Sequence, residues 1–174
     1  MYGSYDTIED TPTLSFERRL SHPVERVWQA ITDPDALGHW FPSAVQVDLR
    51  VGGAMKFTFE GHTLPDGSNF MPGEVTELDP PRVFGFQWGE DHLRFELEAV
   101  DGGAGCALRL TVALGTRDKA ARDAAGWHVC LDRLERFIDG EHEPAATDAT
   151  SDWRALYEEY ERRGAPVGAE IPGE

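Results

Sequence analysis

The sequence predicts an α+β fold, a curved antiparallel β-sheet wrapped around one long C-terminal α-helix. Three observations carry that prediction. Residues 16–42, FERRLSHPVERVWQAITDPDALGHWFP, read as one strand followed at once by two proline-started helices. After them come several short alternating segments with no helix between, the pattern of an antiparallel sheet. Residues 118–139 then carry a single helical stripe of apolar side chains.

Leu14, Phe16 and Leu20 fall on one side of a period-2 run, as a half-buried strand requires. Pro23 sits where a first helical residue would, with Glu25 near the positive helix N-terminus. Val24, Val27, Trp28 and Ile31 follow at i, i+3, i+4, i+7. Asp33 then caps a second short helix that starts at Pro34 and ends near Gly38 and His39.

Residues 44–49 form a strand, and Gly52-Gly53 turns into the next, where Met55, Phe57 and Phe59 alternate with Lys56 and Thr58. Residues 62–71, with Pro65-Asp66-Gly67, make a loop or hairpin tip. Residues 74–78 and 83–88 pair around Asp79-Pro80-Pro81, with Phe84, Phe86 and Trp88 on one side. Leu93, Phe95 and Leu97 alternate with Arg94, Glu96 and Glu98. After the turn at Asp101-Gly102-Gly103, Leu108, Leu110 and Val112 alternate with Arg109 and Thr111.

In the long helix Ala120, Ala124, Trp127, Leu131, Leu134 and Ile138 share one line, at about 100° per residue. His128 and Cys130 flank that line. Gly126 lies off it and costs about 1 kcal/mol against alanine, so another segment approaches there or the helix bends. Residues 1–12 show little pattern and are expected to fray. Residues 13–140 are read as one domain and 141–174 as a linker and tail. In the tail, Trp153, Leu156, Tyr157 and Tyr160 form a stripe on a helix too short to be stable alone. It is expected to dock on its own sheet or long helix, or on a second subunit, giving a monomer or a tail-mediated homodimer. Residues 164–174 are expected to be irregular.

Composition excludes several function classes. The 174 residues carry a formal net charge of −16, which argues against a nucleic-acid partner. No run of about 18 apolar residues exists and no leader is visible, so no membrane span is expected and the cytoplasm is the expected location. Cys106 and Cys130 have no CxxC spacing and should pack as reduced thiols. The six histidines form no HExxH, and GxSxG, GxxxxGK[ST] and GxGxxG are all absent. No metal, no cofactor and no catalytic residue are assigned.

One set of residues also carries a resemblance. It comprises Pro23 with Val27-Trp28, Thr32-Asp33-Pro34 with Leu37 and Trp40, and Gly52-Gly53 before a strand. It continues with Gly73-Glu74-Val75, Asp79-Pro80-Pro81, Trp88, and Gly126-Trp127 with Leu131 and Leu134. On these positions, residues 13–140 resemble the family related to the activator of heat-shock protein 90 ATPase. That family lies in the START/SRPBCC superfamily with the birch-pollen allergen, lipid-transfer START domains and polyketide cyclases. The resemblance implies a helix-grip fold with a cavity between the sheet and the long helix. It implies a small apolar molecule as ligand, without evident catalysis.

The alternatives are a co-chaperone-like interaction module, with a chaperone or other protein as partner, and a polyketide cyclase-like enzyme. A cyclase needs an Arg, Asp, Glu or His on the inner face. Arg94, Glu96, Glu98 and Arg109 alternate with apolar residues, so they are expected to face outward and pair across strands. His62 and His128 are the better polar candidates, and each also reads as a hydrogen-bonded structural histidine. The aromatics either fill a core or line the cavity. The expected ligand-binding set is therefore Trp40, Phe59, His62, Trp88, Phe95, Trp127, His128 and Leu131, with His128 as a polar anchor at the rim.

Overall fold

The computed structural model describes residues 1–141 and 149–171. Its eight strands are β1 (Ser4–Ile8), β2 (Thr11–Leu20), β3 (Ala44–Val47), β4 (Ala54–Thr58), β5 (Phe70–Asp79), β6 (Val83–Trp88), β7 (Asp91–Val100) and β8 (Gly105–Ala113). They form one curved antiparallel sheet in the order β1-β2-β8-β7-β6-β5-β4-β3. Four helices accompany it: α1 (Val24–Thr32), α2 (Pro34–Leu37), α3 (Ala120–Ile138) and α4 (Ala149–Arg162). Among the described residues, no helix is long and apolar enough to cross a membrane.

The alternating strands bury the residues that their periodicity selects. Leu14, Phe16 and Leu20 of β2, Leu93, Phe95 and Leu97 of β7, and Leu108, Leu110 and Val112 of β8 are all in the core. So are the six stripe residues of α3, together with its flanking His128 and Cys130. On the outer face Arg94 binds Glu77 and Glu96 at 2.7 Å each, and Arg109 binds Glu17 at 2.7 Å. Arg18 breaks the outward rule. It lies on the inner parity of β2, is 5% exposed, and reaches Asp132 at 3.4 Å and Glu135 at 3.2 Å on α3. The arginine thus ties the sheet to the helix.

The helix starts follow the proline and aspartate signals with one shift. Asp33 accepts from the backbone N–H groups of Asp35 at 2.8 Å and Ala36 at 3.3 Å, capping α2 as expected. Pro23, expected as the first helical residue, is instead the N-cap of α1, its ψ of 154° still extended. Likewise α3 begins at Ala120 because Arg117–Lys119 form a 3₁₀ turn ahead of it.

The N-terminal segment corrects the expectation of fraying. Ser4 pairs with Ser15 and Ile8 with Thr11, joined by a tight turn in which Glu9 and Asp10 both have positive φ. Of this strand only Tyr5 is partly buried, so backbone hydrogen bonds rather than an apolar pattern hold it. β5 is also longer than expected, extending back to Phe70 to pair with Thr58. Gly73 makes that pairing possible, since a Cβ there would sit 2.5 Å from the Phe57 ring.

The tail docks on the chain's own long helix. Tyr160 is buried, Leu156, Tyr157 and Trp153 are half-buried, and Trp153 lies over Gly126. The close approach inferred at Gly126 is therefore real, yet it leaves room. A Cβ at Gly126 would meet the Trp153 Nε1 at 3.9 Å, an ordinary contact. Gly126→Ala is expected to stabilise the protein by about 0.5–1 kcal/mol in urea denaturation, through helix propensity alone. A loss of stability there would mean that α4 packs closer to α3 than this.

Residues 163–171, beyond α4, are irregular, as expected, but tied down. The N-terminus of α3 has no side-chain cap, and the Pro166 carbonyl takes the Ala121 N–H at 3.0 Å instead. Ala169 N–H also donates to the Asp118 carbonyl at 3.2 Å. Truncation after Gly140 removes this cap and the buried Tyr160 together, so the melting temperature should fall by at least about 5 °C. An unchanged melting temperature would mean that the tail contributes nothing to the domain.

Candidate functional site

The inner face carries a continuous group of aromatic rings between the sheet and the first half of α3. Trp40 is fixed by its indole N–H, which donates to the Ala30 carbonyl at 2.9 Å. Phe41, next in the chain, is the hub. Its ring centroid lies 5.1 Å from Trp88, 5.6 Å from Trp127 and 5.9 Å from Phe57. Trp88 also meets Phe57 at 4.6 Å, Phe59 at 5.7 Å and Trp127 at 6.1 Å. Phe95 joins from β7, 6.1 Å from Trp40.

Of the aromatic and aliphatic residues expected at the site, Trp40, Phe95, Trp127 and Leu131 are buried on this face. Phe59 and Trp88 are half-buried and form its solvent edge. The rings touch one another rather than standing apart as the walls of an open cavity. Edge-on and tilted pairs of this kind each contribute about 0.5–1.5 kcal/mol beyond simple burial. Phe41 was not among the expected site residues; its only sequence signal is an aromatic wedged between a helix end and Pro42.

The two histidines are not brought to this site. His128 lies about 100° around the helix from Trp127, on the flank that α4 covers. Its Nδ1 is 2.8 Å from the Tyr160 hydroxyl, and Tyr2 packs edge-on at 5.2 Å. The Gly3 N–H donates to that hydroxyl oxygen at 2.9 Å, which ties the residue ahead of β1 to the same pair. Asp132 stands 3.5 Å from Nε2. His62 is exposed in the loop after β4, where its Nδ1–H donates to the Glu60 carbonyl at 3.1 Å.

Burial holds the His128 imidazole below the usual histidine range, against the pull of the Asp132 carboxylate; Arg18 and the N-terminal amine push the same way as burial. A folded pKa below the unfolded one means that the unfolded chain binds the proton more readily. The stability that neutral His128 contributes is thus present above the unfolded value of about 6.5 and is lost as pH falls through the folded one. An NMR titration should find its ring protons titrating below that value, and a midpoint above it would contradict the arrangement.

A buried ion pair lies at the β6–β7 hairpin. Asp91 is 4% exposed, faces Trp88 across the β6–β7 hairpin, and binds Lys119 Nζ at 2.6 Å. It also accepts the Gly115 N–H at 2.8 Å. Nearby, burial pushes the Asp123 carboxyl above the usual range, and Arg122 at 2.7 Å opposes that shift. Among the described residues no cluster of three or more His, Cys, Asp or Glu is arranged to hold a metal.

A concavity lies elsewhere, away from these rings. It is a groove of about 610 Å³ lined by Arg19, Asp79, Arg82, Glu96, Glu98 and Arg109, among others. Its arginines already hold acids, Arg82 with Asp79 at 2.9 Å and Arg109 with Glu17 at 2.7 Å. A surface neutralised within itself leaves little for a charged ligand, so the aromatic group is the stronger candidate.

Comparison with known proteins bears on fold and family. The solved structure of CalU16 from Micromonospora echinospora superposes with a TM-score of 0.69 at 25% identity, covering 92% of this chain and 94% of that one. EF2215 from Enterococcus faecalis, a conserved protein of unknown function, gives 0.72 at 22% identity over 92% and 91%. An AHSA1-like protein from Aeromonas hydrophila gives 0.61 at 24% identity over 77% and 99%. No curated protein matches the chain by sequence. The sequence model described as Activator of Hsp90 ATPase homolog 1-like protein matches residues 21–139. The chain belongs to that family, and its antiparallel sheet gripping α3 is the family's SRPBCC-type helix-grip fold.

Proposed function

We propose that the protein binds a small hydrophobic molecule between the sheet and α3, without catalysing a reaction on it. The observation that carries this reading is the half-buried pair Phe59 and Trp88, in edge-on contact with each other, with Trp88 also edge-on to the buried rings of Phe41, Phe57 and Trp127. Large rings left partly in water at the edge of an apolar interior favour an apolar ligand, which completes their burial at about 25 cal/mol per Å². Because the rings touch, entry requires Trp88 and Phe59 to swing outward, on the side where solvent leaves them room. Arg94, Glu96 and Arg109 point away from this interior, and the inward Arg18 is held by Asp132 and Glu135, so none of them supplies an acid or base to a ligand there. Burial pushes the thiols of Cys106 and Cys130 up to about 11 and about 12, which keeps them as unreactive thiols in a cytoplasmic setting.

The test is a thermal-shift screen of neutral aromatic compounds against wild type, Trp88→Ala and the outer-face variant Arg109→Ala. Ligands should raise the melting temperature of wild type and Arg109→Ala alike, and bind Trp88→Ala about tenfold more weakly, a loss of 1.4 kcal/mol. A panel in which nothing shifts the wild type overturns the reading. The family match favours a second reading, a module that contacts a chaperone. Stimulation of a purified heat-shock protein 90 ATPase by this chain would favour it over the first.

A further inference from the structure

We infer that the ligand is a neutral, flat aromatic molecule bearing an oxygen atom, and that Ser43 is its hydrogen-bonding partner. The inference rests on the ligand-binding reading above and adds the chemistry of what is bound. Ser43 is 8% exposed, and its hydroxyl makes no hydrogen bond to any protein atom. Among the described residues it is the one buried side-chain nitrogen or oxygen without a partner. Other buried polar side chains are satisfied: Trp40 by the Ala30 carbonyl, Thr32 by the Trp28 carbonyl, Thr13 by the Thr11 carbonyl. A serine used for structure normally satisfies its hydroxyl on nearby backbone. This one carries the desolvation penalty of a hydroxyl with no return, where an alanine would fill nearly the same space.

Its position aims it at the aromatic site. Ser43 and Val45 are buried while Ala44 and Gln46 are exposed, so the period-2 alternation turns Ser43 to the inner face. Ala44 pairs with Thr58, which sets Ser43 one residue further along, beside Phe59. On its other side the chain leads back through Pro42 to Phe41, the hub ring. The hydroxyl thus borders the rings that a ligand would displace.

The chemistry of the partner follows. A serine hydroxyl both donates and accepts, so it takes either a carbonyl or a hydroxyl oxygen. A carboxylate or ammonium placed among Phe41, Phe59 and Trp88 would be buried beside rings and a neutral hydroxyl, without an opposite charge. A molecule that enters by wedging between rings in contact must be flat.

The experiment uses two probes of the same shape, naphthalene and 2-naphthol, titrated into the full chain and into Ser43→Ala. The indole N–H signals of Trp88 and Trp127 report binding. Wild type should prefer 2-naphthol, and the substitution should shrink the preference about tenfold, or 1.4 kcal/mol, with naphthalene affinity unchanged. Ser43→Ala should also melt no lower than wild type, because it removes an unsatisfied group. A preference that survives the substitution overturns the assignment of Ser43 and leaves the pocket standing. Melting several degrees lower would show that the hydroxyl has a structural partner, and overturns it too. If neither probe binds wild type, the pocket reading falls and takes the anchor with it.

Discussion

Trp127→Ala is expected to lower the unfolding free energy by about 3–5 kcal/mol, the range for truncating a large buried aromatic. Trp127 is 6% exposed and is the ring through which α3 meets the sheet-side aromatics, touching Phe41 at 5.6 Å and Trp88 at 6.1 Å. Removing it opens a void between two layers that are each rigid, so the site collapses poorly and the cavity term stays large. Urea denaturation at fixed pH checks this. A loss near 1 kcal/mol would mean that Trp127 lies against a space that neighbouring rings can fill.

A similar loss is expected for Asp91→Ala, for a different reason. The aspartate is 4% exposed, and its partner Lys119 keeps only 13% of its side chain in contact with solvent. Breaking a buried pair by removing one member leaves the other charge uncompensated, at about 3–5 kcal/mol. The Gly115 N–H also loses its acceptor. Asp91→Asn combined with Lys119→Met should recover much of the loss, since it removes both charges and keeps a carbonyl for Gly115. Full loss in the double variant would locate the effect in hairpin packing rather than in charge.

The parts of this molecule that could be read from its sequence are those in which periodicity sorts side chains by solvent. Leu93, Phe95 and Leu97 alternate with Arg94, Glu96 and Glu98, and the sheet buries the first set and pairs charges of the second. The stripe on α3, the cap at Asp33 and the helix start at Pro34 were legible for the same local reasons. β1 was not, because backbone hydrogen bonds hold Ser4–Ile8 while most of its side chains face water.

The site was legible only in part. Inward parity selected Phe59, Trp88 and Phe95, but parity says nothing of which rings touch. The hub Phe41 therefore emerged only from the fold. His128 was misplaced because its partner, Tyr160, lies 32 residues further on, across a helix whose docking face no local pattern specifies. Ser43 stood out only once every buried polar atom could be followed to its partner.

Where an apolar molecule binds decides whether the space between sheet and α3 is a ligand site. Intermolecular nuclear Overhauser effects between bound naphthalene and the full-length protein answer that directly. Contacts are expected to the ring protons of Phe59, Trp88 and Trp127, between sheet and α3. Contacts confined to the outer-face groove at Arg19, Arg82 and Arg109, or no saturable binding at all, would contradict that placement.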